Sequence, residues 1–405
     1  MKKILVIALD FGPEMGSEAR FAYSWVKSLE KYHRVQVITD IKNKNNLKEM
    51  DKRIKIFYCR FVTEGIRTFL ERRRLYNLLS RLFMRKVKKL LKKQGTGDID
   101  LIHCLTPAGI YAYNNLYRFG KPVVSGPLGG GLKLPANFRQ YESAKYRARQ
   151  VYYRLIKLNP NWINYYKHCL KILIGTSNLL LHLPQETHYK TVEFFDTVVD
   201  VDEFRPGTGK TGNPTTIVYS GRLDAGKGCL LLMEAFRSIV KSGYENVRLI
   251  LLGGGPEYEN ILKFTEENNL QAYVSVTGSV PIGTVNDCLR NADIFCLPSL
   301  KEPGGTSILE AMACALPVVT SDYGGPAMSV SEDCGIKIKP DEYEKFLNKL
   351  KTSLIYLIEN REVRERMGLN ARKRAVEKYS CQSLEKRIKD LYDNIFHTPE
   401  DISVS

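Results

Sequence analysis

The residues best suited to chemistry lie in the second half of the chain. There the run Glu302-Pro303-Gly304-Gly305-Thr306-Ser307-Ile308-Leu309-Glu310 follows the aliphatic stretch Ile294–Leu297 and opens a predicted helix. Glycines let backbone come close to a ligand, and a helix start offers unpaired N–H groups to phosphate oxygens. Glu302 precedes that helix and Glu310 lies about a turn or more inside it. The two carboxylates can therefore grip opposite ends of an elongated ligand, such as the hydroxyls of a sugar and of a ribose. A second loop, Ser220-Gly221-Arg222-Leu223-Asp224-Ala225-Gly226-Lys227-Gly228, follows the strand-like Thr215–Ser220. Arg222 and Lys227 are fixed cations at the carboxyl end of a parallel strand, where ligands bind in open α/β sheets. A departing diphosphate needs its charge compensated, and preorganised cations supply that without a metal. The loop is not a P-loop, because it lacks the upstream Gly spacing and the following Ser or Thr.

Three further glycine-rich segments follow strands. Gly253-Gly254-Gly255-Pro256-Glu257 is fully explained by a tight turn into a helix. In Gly12-Pro13-Glu14-Met15-Gly16-Ser17-Glu18, Gly16 allows close approach to a phosphate, and Glu18 either meets an acceptor hydroxyl or serves the turn. In Gly126-Pro127-Leu128-Gly129-Gly130-Gly131, three consecutive glycines are costly unless backbone must approach something, so Gly129 and Gly130 are expected to line a cleft.

These loops need strands to hold them. Strand-like runs occur at Lys3–Leu9, Val35–Thr39, Ile54–Phe57, Leu101–Leu105, Pro122–Val124 and Leu170–Ile174. A second set occurs at Thr215–Ser220, Arg248–Leu252, Val274–Thr277, Ile294–Leu297 and Pro317–Thr320. Short aliphatic strands alternating with helical stretches predict parallel sheets covered on both faces. At 405 residues, two α/β domains are expected. The connection falls near Asp196–Asn213, with domains at 1–200 and 205–378. After Pro340 the pattern is helical to about Phe396. The nine cysteines are scattered, odd in number and free of CxxC pairs, which suits a reducing compartment. The opening Met1–Leu9 reads as a buried first strand rather than a signal peptide, and no stretch is apolar enough to cross a bilayer.

A net charge of +17 calls for an anionic partner. Between Ile66 and Lys93 eleven basic residues face Glu71 alone, with apolar residues mostly three and four apart. One helix, greasy on one side and cationic elsewhere, is predicted there, either docked on its own domain or lying in the headgroups of an anionic membrane. The membrane reading is the preferred one.

Together these segments resemble the retaining nucleotide-sugar glycosyltransferases of family four. From Val218 to Val330 the strand–GRL–KG element, LLGGGPE, a Glu–seven residues–Glu element and VVTSDYGGP stand in family order. GSE and GPLGGG further resemble a bacterial branch that builds surface polysaccharides. The resemblance implies the GT-B fold, two Rossmann-like parallel-sheet lobes with a cleft between them, the last helix from about Tyr379 packing back on the first lobe. It implies that Gly221, Arg222 and Lys227 hold the diphosphate, Glu302 the donor sugar and Glu310 the ribose, with Gly304, Gly305 and Thr306 meeting phosphate or sugar. Glu302, Arg222 and Lys227 are the expected catalytic set. The donor is expected to be a UDP- or GDP-sugar, and the acceptor a glycan or a lipid-linked molecule. A hexosyltransferase on the cytoplasmic face of the membrane, needing no metal or other cofactor, is the resulting expectation. The sequence departs from the family at Ser125-Gly126, where many members carry a histidine, and at Ala315, where a glycine is usual. An alanine there is harmless if its φ is negative. His103 is then the histidine available to a cleft, with a structural role as the alternative.

Other readings are weaker. Asp98-Ile99-Asp100 and Asp200-Val201-Asp202 match the DxD of metal-dependent transferases, but one precedes a strand and the other lies in the linker, each without a third ligand nearby in sequence. A nucleic-acid-binding protein would need a groove-reading or single-strand module, and none is recognisable. A GT-B nucleotide-sugar epimerase remains the alternative among enzymes.

Overall fold

The computed structural model of the chain describes residues 1–13, 17–47, 54–73, 75–142, 144–207 and 213–397. They fall into two compact units. One comprises Met1–Gly131, Ala144–Asp196 and the segment from Glu385; the other comprises Leu132–Ser143 and Thr197–Leu384.

In the first unit the chain runs β1 (Lys3–Ala8), α1 (Ser17–Leu29), β2 (Arg34–Asp40), β3 (Lys55–Cys59), α2 (Glu64–Arg72), α3 (Tyr76–Gln94), β4 (Leu101–Thr106), β5 (Val123–Leu128), α4 (Ala144–Lys157), α5 (Pro160–Lys167), β6 (Lys171–Ile174) and β7 (Thr191–Glu193). Its strands form one parallel sheet in the order β3-β2-β1-β4-β5-β6-β7. Ile4–Ala8 is buried on both faces, which is why β1 reads as a continuous aliphatic run.

The second unit repeats the plan: β8 (Thr215–Ser220), α6 (Cys229–Lys241), β9 (Val247–Leu252), α7 (Tyr258–Glu267), β10 (Val274–Val276), α8 (Ile282–Asn291), β11 (Ile294–Leu297), α9 (Thr306–Ala313), β12 (Val318–Ser321), α10 (Gly324–Ser329), β13 (Gly335–Ile338), α11 (Tyr343–Glu359) and α12 (Arg361–Tyr379). Its parallel sheet has the order β10-β9-β8-β11-β12-β13. The final helix, α13 (Cys381–His397), belongs to the first unit from Glu385 onward. Leu132–Ser143 contributes to the second unit, with Phe138 packed edge-on against Phe346 of α11.

Several expectations need correction. The segment 66–93 is two helices, and the chain leaves helical geometry at Leu75 (φ −87°, ψ 46°). The turn lets each helix bury its own apolar stripe, Leu70 in α2 and Leu79, Phe83, Val87 and Leu91 in α3. β5 does not stop at Val124. It continues through Gly126 and Pro127 to Leu128, with a register shift against β6. Gly126 (φ +111°) makes this possible, because a Cβ there would lie 2.3 Å from the Leu173 carbonyl oxygen. Ala315 has φ +56°, the left-handed region, so the condition for a harmless alanine is not met. All nine cysteines are free.

Candidate active site

In the second unit, β8 and β11 are neighbours although β9 and β10 lie between them in chain order. The strand order reverses at that pair, and the crevice beyond the carboxyl ends at such a switch point is where open α/β sheets bind ligands. The two chemistry-bearing loops leave these two strands.

The β8 loop is shaped by its own side chains and by β9. Asp224 accepts from the Gly226 N–H at 3.0 Å and sets a tight turn over Ala225–Lys227. Gly228 (φ +74°) follows, where a Cβ would lie 2.2 Å from the Pro298 carbonyl oxygen. The run Gly253–Gly255 packs backbone to backbone on the same loop: Gly221 N–H donates to Leu252 O at 2.9 Å and Leu223 N–H to Gly254 O at 3.0 Å. A Cβ on Gly253 or Gly255 would meet the carbonyls of Gly221 or Leu223 at 2.0 and 2.2 Å. Those glycines thus serve the loop that carries Arg222.

The β11 loop is tied to the first. Leu300 N–H donates to Gly226 O at 2.9 Å, and Ser299 Oγ to the same oxygen at 3.2 Å. Lys227 Nζ contacts Glu302 Oε2 directly. Glu302 Oε1 accepts from the N–H groups of Gly304 (3.2 Å) and Gly305 (3.0 Å). This buried carboxylate therefore caps the turn into α9 while neutralising Lys227. Gly305 takes φ +80° to make the turn. The N–H groups read from sequence as ligand donors at Gly304 and Gly305 are here directed at Glu302. Those of Thr306 and Ser307 head α9, where a helix has no internal acceptor to offer. Thr306 is exposed and Glu310 lies one turn further along the same face. Arg222 is more than half exposed, its Nε 3.9 Å from Asp224, so the guanidinium can turn toward a ligand. Burial pulls the Lys227 ammonium down to about 8, and Asp224 opposes that. The contact with Glu302 acts in the same sense as Asp224, so the amine stays charged at neutral pH.

Residues 200–374 match the model of the family described as glycosyl transferases group 1. That stretch, under half of the chain, is similar to a glycosyltransferase domain. Over 198 residues the chain is 30% identical to a component of the phosphatidylinositol N-acetylglucosaminyltransferase of Arabidopsis thaliana, covering 48% of this chain and 42% of that one. It is 28% identical over 188 residues to the capsular polysaccharide biosynthesis glycosyltransferase CapM of Staphylococcus aureus, covering 45% and 47%. The chain spans less than half the length of these curated relatives. Among solved structures, a sucrose-phosphate synthase from Thermosynechococcus elongatus aligns with TM-score 0.65 at 17% identity, over 98% of this chain and 99% of that one. Anabaena HepE in complex with UDP and glucose aligns with TM-score 0.61 at 17% identity, over 97% and 100%. The chain has the GT-B fold.

Within residues 200–374, the sequence alone assigns no role to Tyr323-Gly324-Gly325 beyond its family resemblance. Gly325 N–H donates to Glu302 O at 2.8 Å. A Cβ on Gly324 would lie 2.5 Å from that same oxygen, so the two glycines let the β12 loop press against Glu302. Their signal was a second diglycine opening a helix straight after a strand.

The first unit brings its own loops together over β1, β4 and β5. Glu18 Oε1 accepts from Ala108 N–H at 2.8 Å, and Gly129 N–H donates to Ala108 O at 2.7 Å. Gly130 (φ +84°) has open space where a Cβ would stand. Glu18 keeps contact with solvent, yet crowding of its carboxylate raises its pKa, chiefly by desolvation and further through Asp10 and Asp196. The Ala108 N–H and Lys42 oppose this. Gly16 lies outside the described residues. His103 does not face a cleft. It is fully buried in β4, bonded to Tyr392 Oη of α13 and, at 2.6 Å through Nε2, to Gly126 O. The carbonyl requires Nε2 to carry the proton, so Nδ1 accepts from Tyr392, which in turn accepts from Trp25 Nε1 at 3.3 Å. Burial pushes the imidazole down to about 4. His103 is thus a core residue that ties α13 to the sheet.

Three of the four aspartates in the acidic pairs have structural partners. Asp98 pairs with Lys3, and Asp100 accepts from Lys3 N–H at 2.7 Å. Asp200 accepts from the N–H groups of Asp202 and Glu203, both at 3.0 Å.

Proposed function

We propose that the protein is a retaining glycosyltransferase that moves a hexosyl group from a UDP- or GDP-sugar to a glycan or lipid-linked acceptor in surface-polysaccharide or glycoconjugate synthesis. One observation carries this reading: the loops after β8 and β11 put Arg222, Lys227, Glu302 and the head of α9 around one switch point. A diphosphate placed there meets two cations and the Thr306 and Ser307 N–H groups, while Glu310, one turn down α9, reaches for the ribose. As the bond from anomeric carbon to phosphate breaks, Arg222 and Lys227 take up the charge growing on the leaving oxygens, the role a metal plays elsewhere. Glu302 orients the sugar. Its oxygens are bound by two N–H groups and an ammonium, which makes it a poor nucleophile. That favours front-face attack, with a donor phosphate oxygen accepting the acceptor hydroxyl's proton, over a glycosyl-enzyme intermediate.

The relatives agree in kind. HepE is seen with UDP and glucose, and curated relatives bear names from N-acetylglucosaminyl transfer and capsular polysaccharide synthesis. The test is a screen of UDP-, GDP- and ADP-sugars for hydrolysis and transfer, with and without EDTA. The expected outcome is turnover of one nucleotide class, unaffected by chelation. Activity lost in EDTA and restored by Mg²⁺ or Mn²⁺ would refute the metal-free scheme. Conversion of the free sugar nucleotide to its epimer, with no acceptor present, would make the protein an epimerase.

A further inference from the structure

We propose that α2, the first turn of α3 and α4 form one surface that docks on the headgroup layer of an anionic bilayer. None of its residues belongs to the β8–β11 site, so the proposal stands apart from the transferase reading. The basic segment 66–93 is only part of it. Leu79, Phe83, Val87 and Leu91 are buried in the first unit, so the greasy stripe of α3 already has its partner. Arg67 is buried and ion-paired with Asp40, which removes one cation from the surface. What stands outside is a different set.

Ile66 and Phe69 on α2 are 51% and 56% exposed, and Tyr76 and Leu78 open α3 with 58% and 45%. On α4, Val151, Tyr152 and Leu155 are exposed, with Leu158 just beyond its end. Positions 151 and 155 are four apart, so they share one face of α4. Asn77 Nδ2 donates to Tyr152 Oη at 3.5 Å, which sets the start of α3 beside α4 and joins the two apolar groups. No sequence pattern hints at this union, since Asn77 and Tyr152 lie 75 residues apart along the chain.

Cations fringe the apolar surface. Arg72, Arg73, Arg81 and Arg154 are exposed, and the Arg73 guanidinium lies 5.7 Å from the centre of the Phe69 ring. No acidic residue occurs between Glu71 and Asp98, or between Glu142 and Glu186. Glu64 and Glu71 are the acids of α2, and Glu71 is paired with Lys42. The rest of the surface is long aliphatic and tyrosine side chains in a cationic field, which matches a bilayer interface. Their tips enter the acyl boundary, the tyrosines sit at headgroup level, and the arginines reach lipid phosphates. A soluble polyanion would engage the cations and leave the apolar stripe in water. A second copy of the chain would set like charge against like. Docked this way, the first unit holds the protein at the membrane surface, where a lipid-linked acceptor resides.

Flotation of the full chain with phosphatidylcholine vesicles, with and without phosphatidylglycerol, tests the proposal. Two variants accompany the wild type: Phe69→Ser/Tyr76→Ser/Leu155→Ser/Leu158→Ser, and Arg72→Gln/Arg73→Gln/Arg154→Gln. All these side chains are exposed, so unfolding temperatures should match the wild type. Wild type should float with anionic vesicles alone and be released by salt, and each variant should partition at least about tenfold more weakly. Failure of the wild type to float at low salt overturns the proposal. So does a serine variant that floats like the wild type, which would reduce the interaction to adsorption of charge. A wild-type dimer that the serine variant dissociates, without vesicle binding, would assign the surface to a second copy instead.

Discussion

Replacing Lys227 by alanine separates a catalytic from a structural role for the Lys227–Glu302 contact. Glu302 has a side chain one-tenth exposed, with Oε1 held by two N–H groups and Oε2 by the ammonium. Deleting the ammonium leaves one oxygen of a largely buried carboxylate without its partner, which costs about 1–3 kcal/mol of stability. On the proposed mechanism it also removes one of two cations facing the leaving diphosphate, worth on the order of 3 kcal/mol in the barrier, or about a hundredfold in kcat. Lys227→Ala/Glu302→Gln removes the orphaned charge as well, so stability should largely return while turnover stays low. Thermal unfolding and donor turnover at saturating substrate measure the two quantities on the same samples. The pH profile adds an independent check. The charged ammonium is the useful form, so wild-type turnover should fall as pH rises beyond about 8, the value to which burial brings Lys227 before Glu302 raises it. Arginine does not lose its proton in this range, so Lys227→Arg should lack that limb whatever its absolute rate. Full turnover in the double variant would refute the reasoning, because Lys227 would then serve only to neutralise Glu302.

Ala315→Gly should raise stability by roughly 0.5–1 kcal/mol, the left-handed penalty of alanine less the entropy of glycine in the unfolded chain. The unfolding temperature should rise by about 2 °C, and a fall would mean the methyl group packs better than its backbone conformation suggests. His103 is neutral and buried, its pKa about 4 in the folded chain against an ordinary 6.5. The unfolded chain takes up a proton there first as pH falls below about 6.5, so stability should decline from that point down to about pH 4, by roughly 3 kcal/mol in total. A flat unfolding temperature across that window would show that the imidazole is protonated in place.

Much of this was legible in the sequence because buried parallel strands are conspicuous. Thr215–Ser220 and Ile294–Leu297 stand as read, and the loops at their carboxyl ends carry the proposed site. What escaped was short or depended on distant partners. β7 and β13 are three- and four-residue edge strands, too brief for any periodicity to register. The role of Gly253 and Gly255 is set by carbonyls of Gly221 and Leu223, some thirty residues away. For His103 the structural of its two readings holds. It sits within Leu101-Ile102-His103-Cys104-Leu105, a strand apolar on both faces, and that setting was itself the signal for a core residue satisfied by Gly126 and Tyr392. The break at Leu75 left no mark in a pattern whose threes and fours continue across it.

Neither unit is complete until almost the whole chain exists. Phe138 leaves the ribosome early, yet its packing partner Phe346 is made roughly 200 residues later, an interval of about 10–40 s at usual translation rates. The first sheet waits longer still, because the hydroxyl that satisfies His103 is carried by Tyr392. During synthesis the Leu132–Ser143 segment therefore has nothing to settle on, and His103 lies in a sheet with one polar atom unanswered. Cotranslational folding of this chain should stall as a loosely formed first sheet until Tyr392 has emerged, which makes the nascent protein a client for holding chaperones and poorly suited to expression as separate halves.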